Sequence, residues 1–138
     1  MEFFKKGGKF MKIREIMKSP AIVVRPDETI EKALEIMNKE KVNGTPIVDE
    51  DNRLVGMIVK ADIYRFLIDP GRYKSCPVEW VMTKEVIKAQ ADEDILDAAK
   101  RLRDYNIIAL PVVEGENVVG IISFEDILDY YIERHTSQ

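Results

Sequence analysis

The sequence has little of the chemistry that builds cysteine-based or histidine-based sites. Its 138 residues include one cysteine, Cys76, and one histidine, His135. A single cysteine excludes an intramolecular disulfide and a cysteine-based zinc site. A single histidine in the polar tail argues against a histidine-based triad and a multi-histidine metal site. The sequence therefore predicts no catalytic residue set and no metal site.

Long apolar runs and a strong charge of one sign are also missing. No run of about 18 apolar residues occurs, so no membrane span is predicted. The first residues lack the apolar region of a secretory signal. The 25 acidic and 21 basic residues give a formal net charge of −4, which argues against nucleic-acid binding. With 46% hydrophobic residues, the chain is expected to be a folded cytoplasmic protein.

The chain does contain an internal repeat. Met17 and Met82 lie 65 positions apart, and after a one-residue deletion the offset becomes 64, relating Asp62 to Asp126. Further identical pairs follow these two offsets: Ile30/Ile95, Ala33/Ala98, Pro46/Pro111 and Gly56/Gly120. The predicted divisions are an extension (1–12), a first motif (13–68), a Pro- and Gly-containing linker (69–77), a second motif (78–132) and a tail (133–138). Met11 is expected to be the physiological start.

Each half has the pattern of a β-α-β-β-α unit. Short β-type runs at 21–24 and 86–89 precede helices whose apolar residues recur at i, i+3, i+4 and i+7. Thr29 and Asp94 are suited to cap these helices. Hairpins turning at 49–52 and 114–117 follow, and then second helices from about 61 to 68 and about 125 to 134. A half of about 55 residues is marginal alone. We therefore predict a mixed α+β fold in which two motifs pack as a pseudo-two-fold pair around one continuous core.

Three stretches in each half carry a family resemblance. They are Ile16-Met17 and Val81-Met82-Thr83, then VNGTPIVD at 42–49 and IIALPVVE at 107–114, then GMIVKAD at 56–62 and GIISFED at 120–126. Over nearly all of residues 13–132 the sequence resembles a tandem pair of CBS (cystathionine β-synthase) domains, or Bateman module. The resemblance implies that AMP, ADP, ATP or S-adenosylmethionine binds in clefts between the motifs as a regulatory ligand, in a role such as energy sensing, with no required cofactor. It also implies a homodimer formed through the helices.

The resemblance changes the interpretation of residues at the second helix of each motif. Position alone favours Asp126 as a helix-start carboxylate that complements the helix dipole, whereas the resemblance implies that it binds ribose hydroxyls. Ser123 is an N-cap by position, or a donor to the phosphate side of a ligand by resemblance. At the equivalent position Val59 lacks a hydroxyl, so the site around Asp62 is expected to be the weaker one.

The remaining candidate ligand-binding residues come from the same resemblance. They are Ser19, Pro20, Ala21, Ile22, Val42, Asn43, Lys84, Ile87, Ile108, Ala109 and Ile122. Their apolar members suit either an adenine or the protein core. The pairs at 43–44 and 108–109 carry no Arg, Lys or His. Since a triphosphate needs several cationic partners, AMP or another lightly charged adenosine compound is expected to bind better than ATP.

These features predict a stand-alone regulatory module that binds an adenosine compound and signals to a partner protein. The alternative is a ligand-free CBS pair with a structural or protein-interaction role, favoured by the apolar Val59 and the missing cations. No nucleophile–base pair is recognisable, so an enzyme is not predicted. Apolar residues on more than one face of the second helices predict a homodimer. Asp126→Ala is expected to leave the fold intact, on the assumption of an exposed carboxylate.

Overall fold

The computed structural model describes residues 11–136, and the predicted start at Met11 concerns residues that lie outside this range. The helices are α1 (Ile30–Glu40), α2 (Lys60–Ile68), α3 (Ile95–Asp104) and α4 (Phe124–Thr136). The strands are β1 (Gly44–Val48), β2 (Leu54–Val59), β3 (Ala89–Gln90), β4 (Ala109–Glu114) and β5 (Asn117–Ser123). Short 3-10 turns, Ile13–Glu15 and Val78–Trp80, precede the two motifs' first strand regions. The mixed α+β fold predicted from the repeat is confirmed. None of the helices described is long and apolar enough to cross a membrane.

The predicted helix starts and hairpins are confirmed. The Thr29 side chain accepts a hydrogen bond from the Lys32 amide. The Asp94 side chain accepts from the Leu96 amide in α3, and the Asp97 side chain accepts from the Asp94 amide. Strand β1 pairs antiparallel with β2. Strands β4 and β5 are hydrogen-bonded neighbours joined by a short turn, and Gly115 in that turn has a φ of +66°, which favours glycine.

The predicted first strands are much shorter than expected. In residues 21–24 only Val24 forms a bridge, parallel to Ile47, and β3 begins at Ala89. The Ile22 carbonyl accepts from the side-chain Oγ1 of Thr45 at 2.5 Å instead of from a backbone amide of the neighbouring strand. The Lys88 carbonyl likewise accepts from the Arg101 guanidinium at 3.1 Å. Side chains thus take the carbonyls that would extend each ladder.

The chain divides into two compact units that do not follow the order of the sequence. Unit 1 contains residues 11–20, 87–115 and 119–136, and unit 2 contains residues 21–86 and 116–118. The start of each repeat is therefore part of the unit that contains the hairpin of the other repeat. The motif boundaries proposed from the repeat stay a prediction, because they describe sequence similarity and not these units.

Each unit buries its own set of apolar side chains, and one continuous core stays a prediction. The core of unit 1 consists of Ile13, Ala89, Ala91, Ile95, Ala98, Leu102, Leu110, Val112, Ile122 and Ile127. The core of unit 2 consists of Val24, Ile30, Ala33, Leu34, Met37, Ile47, Ile58, Ile63, Cys76 and Val78. The i, i+3, i+4, i+7 positions of α1 and the corresponding stripe of α3 supply much of this burial.

Candidate functional site

Residues 17–20 lie against strand β5 and bring Lys18 next to the start of helix α4. Lys18 and Ile121 exchange two backbone hydrogen bonds, with N···O distances of 2.9 and 3.0 Å. Gly120 permits this approach, because a Cβ atom on it would lie 2.6 Å from Met17 Sδ and 2.8 Å from the Lys18 carbonyl oxygen. The position of Lys18 therefore depends on a glycine at residue 120.

Asp126 lies in the first turn of α4, where it and Ser123 cap the helix reciprocally. The Asp126 amide donates to Ser123 Oγ at 3.1 Å, and the Ser123 amide donates to Asp126 Oδ2 at 2.8 Å. This is the geometry of a capping box. The Asp126 side chain is only 7% exposed, so the expectation of an exposed carboxylate that contributes little to the fold is wrong. Removal of the Asp126 side chain would leave the Ser123 amide without this acceptor, while the cap from the Asp126 amide to Ser123 Oγ would remain.

Lys18 supplies a positive charge beside this buried carboxylate. Its Nζ lies 2.8 Å from Asp126 Oδ1, while 67% of the Lys18 side chain is exposed. The hydrogen bond to Asp126 raises the pKa of Lys18 above its ordinary value of 10.5, and the charges of Glu125 and Asp129 act in the same direction. Together, Asp126, Ser123 and Lys18 form a bonded group that we call the Asp126 corner.

Ile108 and Ala109 lie at the start of β4, next to the Asp126 corner. The Phe124 amide at the start of α4 donates to the Ile108 carbonyl at 2.9 Å, which ties this point of the chain to the helix start. The Ile108 side chain is 58% exposed although it is large and apolar. Ile87, two residues before β3, is half-buried. The helix start that carries Asp126 is thus bonded to the backbone of a residue with an exposed apolar side chain. This combination suits a ligand that has an apolar ring and hydroxyl groups.

Three further predicted residues of unit 1 have different environments. Ser19 Oγ donates to the Val119 carbonyl at 2.7 Å, so its hydroxyl proton is used within the protein. Pro20 is exposed. Ile122 has no exposed surface and belongs to the core of unit 1. The Ile122 side chain is therefore unavailable to a ligand, because β5 points it inward.

Unit 2 contains the equivalent aspartate in a different setting, the Asp62 corner, formed by Asp62, Val59 and Arg65. The Asp62 side chain is 31% exposed and forms an ion pair with Arg65, one turn later on α2. Val59 precedes α2 as Ser123 precedes α4. The Val59 side chain has no atom that can cap a helix, and the expected weakness of this site stays a prediction.

In unit 2, the segment around Thr83 lies against β2 with the same backbone hydrogen bonds as the Lys18 segment, but Thr83 carries no charge. Thr83 and Met57 exchange backbone hydrogen bonds of 2.8 and 2.9 Å. Gly56 permits this approach, since a Cβ atom there would lie 2.6 Å from Met82 Sδ and 3.1 Å from the Thr83 carbonyl oxygen. The residue at the Lys18 position is a threonine, Thr83, so that position brings no cation to Asp62.

The remaining predicted residues belong to unit 2. Ala21, Ile22 and Val42 are half-buried, and Asn43 and Lys84 are exposed. The Lys60 amide donates to the Asn43 carbonyl at 2.9 Å, which ties the start of α2 to the chain before β1. The Lys60 ammonium donates to Asn38 at 2.6 Å. Of the fourteen predicted residues, eight belong to unit 1 and six to unit 2.

Lys18 is absent from the residues that the sequence predicts for this site. Its signal in the sequence is its place directly after Met17, at the start of the repeat, where the second copy has Thr83. A lone surface lysine gives no further hint, because its partner Asp126 is 108 residues away along the chain. In the described range 11–136, no three His, Cys, Asp or Glu side chains are grouped so that they could hold a metal ion.

A family model of the CBS domain matches the chain twice, over residues 13–69 and 78–133. The chain belongs to the CBS domain family. This confirms the resemblance carried by the repeated motifs around the two aspartates.

Similar CBS proteins differ in length and in what is known of them. The chain is 36% identical over 116 residues to L-aspartate semialdehyde sulfurtransferase of Methanocaldococcus jannaschii, covering 83% of this chain and 22% of that enzyme. It is 30% identical to the uncharacterized protein MJ1426 of the same organism, covering 91% of this chain and 94% of that protein. The chain thus spans about a fifth of the sulfurtransferase and nearly all of MJ1426.

A solved structure of a similar CBS pair contains adenosine compounds. The CBS domain pair of protein MJ0100, crystallised in complex with 5-methylthioadenosine and S-adenosyl-L-methionine, superposes with a TM-score of 0.83. The two sequences are 33% identical, and the match covers 91% of this chain and 99% of that chain.

Proposed function

We propose that this CBS pair is a regulatory module that binds an adenosine-containing compound at the Asp126 corner and signals to a partner protein. The observation that carries the proposal is a buried carboxylate held at a helix start. The chain that carries it is similar to a CBS pair crystallised with 5-methylthioadenosine and S-adenosyl-L-methionine. A cytoplasmic location and a non-catalytic role are parts of the same proposal.

The hydrogen-bonding capacity of Asp126 supports recognition of a ribose. A carboxylate offers about four acceptor positions, two on each oxygen. Protein donors occupy one acceptor position on each Asp126 oxygen: Lys18 Nζ donates to Oδ1, and the Ser123 amide donates to Oδ2. Two acceptor positions remain, one on each oxygen, which matches the two adjacent hydroxyls of a ribose. The protein donors also hold the carboxylate in one orientation before a ligand arrives.

The neighbouring side chains support an apolar ring with a lightly charged substituent. The exposed Ile108 offers a surface for an adenine. Ser123 Oγ accepts from the Asp126 amide, so its own proton can still be donated to a ligand oxygen. The cation described at this corner is Lys18, already paired with Asp126. We therefore propose that AMP, 5-methylthioadenosine or S-adenosylmethionine binds better than ATP.

The test is isothermal titration of the purified chain with AMP, ATP, 5-methylthioadenosine and S-adenosylmethionine. We expect at least one to bind with a submillimolar Kd and ATP to bind less tightly than AMP. Asp126→Asn is the informative variant, because an amide oxygen can still accept from the Ser123 amide while the charge is lost. Asp62→Asn is the matched control in the other repeat. Millimolar or weaker binding of all four compounds would refute the proposal.

A ligand-free role is the second candidate, and one observation favours it. Both Asp126 oxygens and Ser123 Oγ already have protein partners, so the corner is satisfied without a ligand. In that case the capping box and ion pair serve the stability of unit 1 alone. Native mass spectrometry would support this second function if the freshly purified protein carries no adenosine compound and binds none when one is added.

The second helices offer surfaces for assembly. On α4 the exposed apolar residues are Phe124, Leu128 and Ile132, and on α2 they are Tyr64 and Ile68. In each helix they follow an i, i+4 spacing, so they lie along one face. We propose that these faces form a homodimer. Sedimentation at micromolar concentration should show the dimer, and a monomer would refute it.

A further inference from the structure

We propose that Lys18 sets the ligand charge that the Asp126 corner accepts, favouring an anionic adenosine compound over an uncharged one. This inference rests on the proposed function of the same corner. Lys18 would act as a specificity residue, since it would influence the substituent on the ribose and leave recognition of the ribose hydroxyls to Asp126.

The geometry fixes Lys18 at the carboxylate. The Lys18 amide and carbonyl both form hydrogen bonds with the backbone of Ile121. Because Gly120 has no side chain, nothing at that residue pushes the Lys18 segment away from β5. The Lys18 ammonium is 2.8 Å from Asp126 Oδ1. A hydroxyl bound to that same oxygen at about 2.8 Å would lie within about 6 Å of the ammonium.

The surrounding charges make this one cation important. Glu125 and Asp129 lie on the same helix as Asp126 and attract the Lys18 ammonium. Without Lys18, the carboxylates of Asp126, Glu125 and Asp129 would repel an anionic ligand. With Lys18 in place, the charge of the buried Asp126 is balanced. Lys18 remains 67% exposed, so its field also reaches a bound ligand.

The expected effect follows from Coulomb's law. A unit charge about 7 Å from a phosphate, in a medium between protein surface and water, changes affinity by about 3- to 10-fold. The effect should shrink in concentrated salt, because the screening length falls well below that distance.

The experiment compares two ligands that share the adenosine and differ in charge. AMP carries a phosphate, and 5-methylthioadenosine is uncharged at the same position. The ratio of their Kd values cancels any general change in the ribose site. In Lys18→Met at low salt, we expect AMP to lose about 3- to 10-fold in affinity relative to 5-methylthioadenosine. In about 0.5 M NaCl the shift in ratio should fall below about 2-fold.

The matched control is Lys12→Met in the same segment. Lys12 is also an exposed lysine near an aspartate, at 4.0 Å from Asp92, and its loss changes the net charge equally. We expect this variant to leave the ratio unchanged. An unchanged ratio in Lys18→Met, with both ligands still bound, would overturn the role of Lys18 alone. Binding of S-adenosylmethionine or ATP, with no binding of AMP or 5-methylthioadenosine, would overturn this inference alone. Failure of the unmodified chain to bind any of the four compounds would overturn the proposed function and this inference with it.

Discussion

The Asp126 corner and the Asp62 corner occupy the same position in the two repeats and satisfy their carboxylates differently. Asp126 is 7% exposed, capped with Ser123 and paired with Lys18. Asp62 is 31% exposed and paired with Arg65 on its own helix. One repeat therefore holds a fixed, buried carboxylate, and the other holds a helix-end charge that water can reach.

The difference comes from neighbours and not from the backbone. Both segments that lie against the hairpins, at Lys18 and at Thr83, form the same pair of backbone hydrogen bonds. The residue before the helix is a serine in one repeat and a valine, Val59, in the other. A repeated backbone thus places an aspartate twice, and the neighbouring side chains bury one of them and leave the other partly exposed. The predictions below test whether these neighbours account for the difference.

The largest expected effect is on ligand binding at the two aspartates. Asp126→Ala should weaken adenosine binding by about 10- to 150-fold, because a charged acceptor for ligand hydroxyls is lost. It should also lower the free energy of unfolding by about 1–2 kcal/mol, because the Ser123 amide and the Lys18 ammonium lose their shared acceptor. Asp62→Ala should cost less on both measures, since that carboxylate is partly exposed. Titration and urea unfolding of both variants check this, and equal losses would contradict the comparison.

The next effect concerns the glycines that let each segment approach its strand. Gly120→Ala should lower the free energy of unfolding by about 2–3 kcal/mol, because the added Cβ meets the Lys18 carbonyl oxygen at 2.8 Å. Gly56→Ala should cost about 1–2 kcal/mol, since the corresponding carbonyl oxygen of Thr83 is 3.1 Å away. Chemical denaturation measures both. Equal losses would contradict this and would indicate that the methionine Sδ atoms, at 2.6 Å in both cases, dominate the contact.

A smaller effect isolates the hydroxyl at the helix start. Ser123→Ala should lower the free energy of unfolding by about 0.5–2 kcal/mol, because Ser123 Oγ accepts from the Asp126 amide. In the other repeat, Val59→Ser should be more stable than Val59→Ala by about 0.5–1 kcal/mol, as the new hydroxyl can cap α2. Thermal and urea unfolding of the three variants provide the measurement. No difference between the two Val59 variants would mean that α2 does not accept a cap.

The smallest effect is the pH dependence of the Lys18 pair. The pKa of Lys18 is raised in the folded chain by its hydrogen bond to Asp126. The stabilisation is therefore complete below the unfolded value of 10.5 and is lost as the pH rises through the folded value. Because Lys18 is largely exposed, we expect a change of a few tenths of a kcal/mol at most.

The measurement is the difference in unfolding free energy between the unmodified chain and Lys18→Met at about pH 8 and about pH 11.5. The difference should be smaller at the higher pH. Lys12→Met serves as the control for general effects of alkaline pH. A difference that grows with pH would contradict the assignment of the ion pair.

Local features of the fold were predictable because neighbouring residues determine them. Thr29 and Asp94 cap their helices as expected, since a cap needs an oxygen-bearing side chain followed by an apolar stripe. The strand at 21–24 was predicted too long. Its apolar residues suit a ladder, but Thr45, distant in sequence, takes the Ile22 carbonyl. Competition from a distant hydroxyl leaves no trace in local composition.

The sequence by itself determined the repeat, the CBS family, the helix starts and the two candidate aspartates, because each of these depends on short-range patterns that occur twice. The tertiary structure decided that residues 11–20 are part of unit 1 and that Asp126 is buried. It alone brought Lys18 to a carboxylate 108 residues away. Burial and ion pairing depend on which segments meet after the backbone has formed its hydrogen bonds, and a pairing between segments so far apart has no periodic signature in the chain.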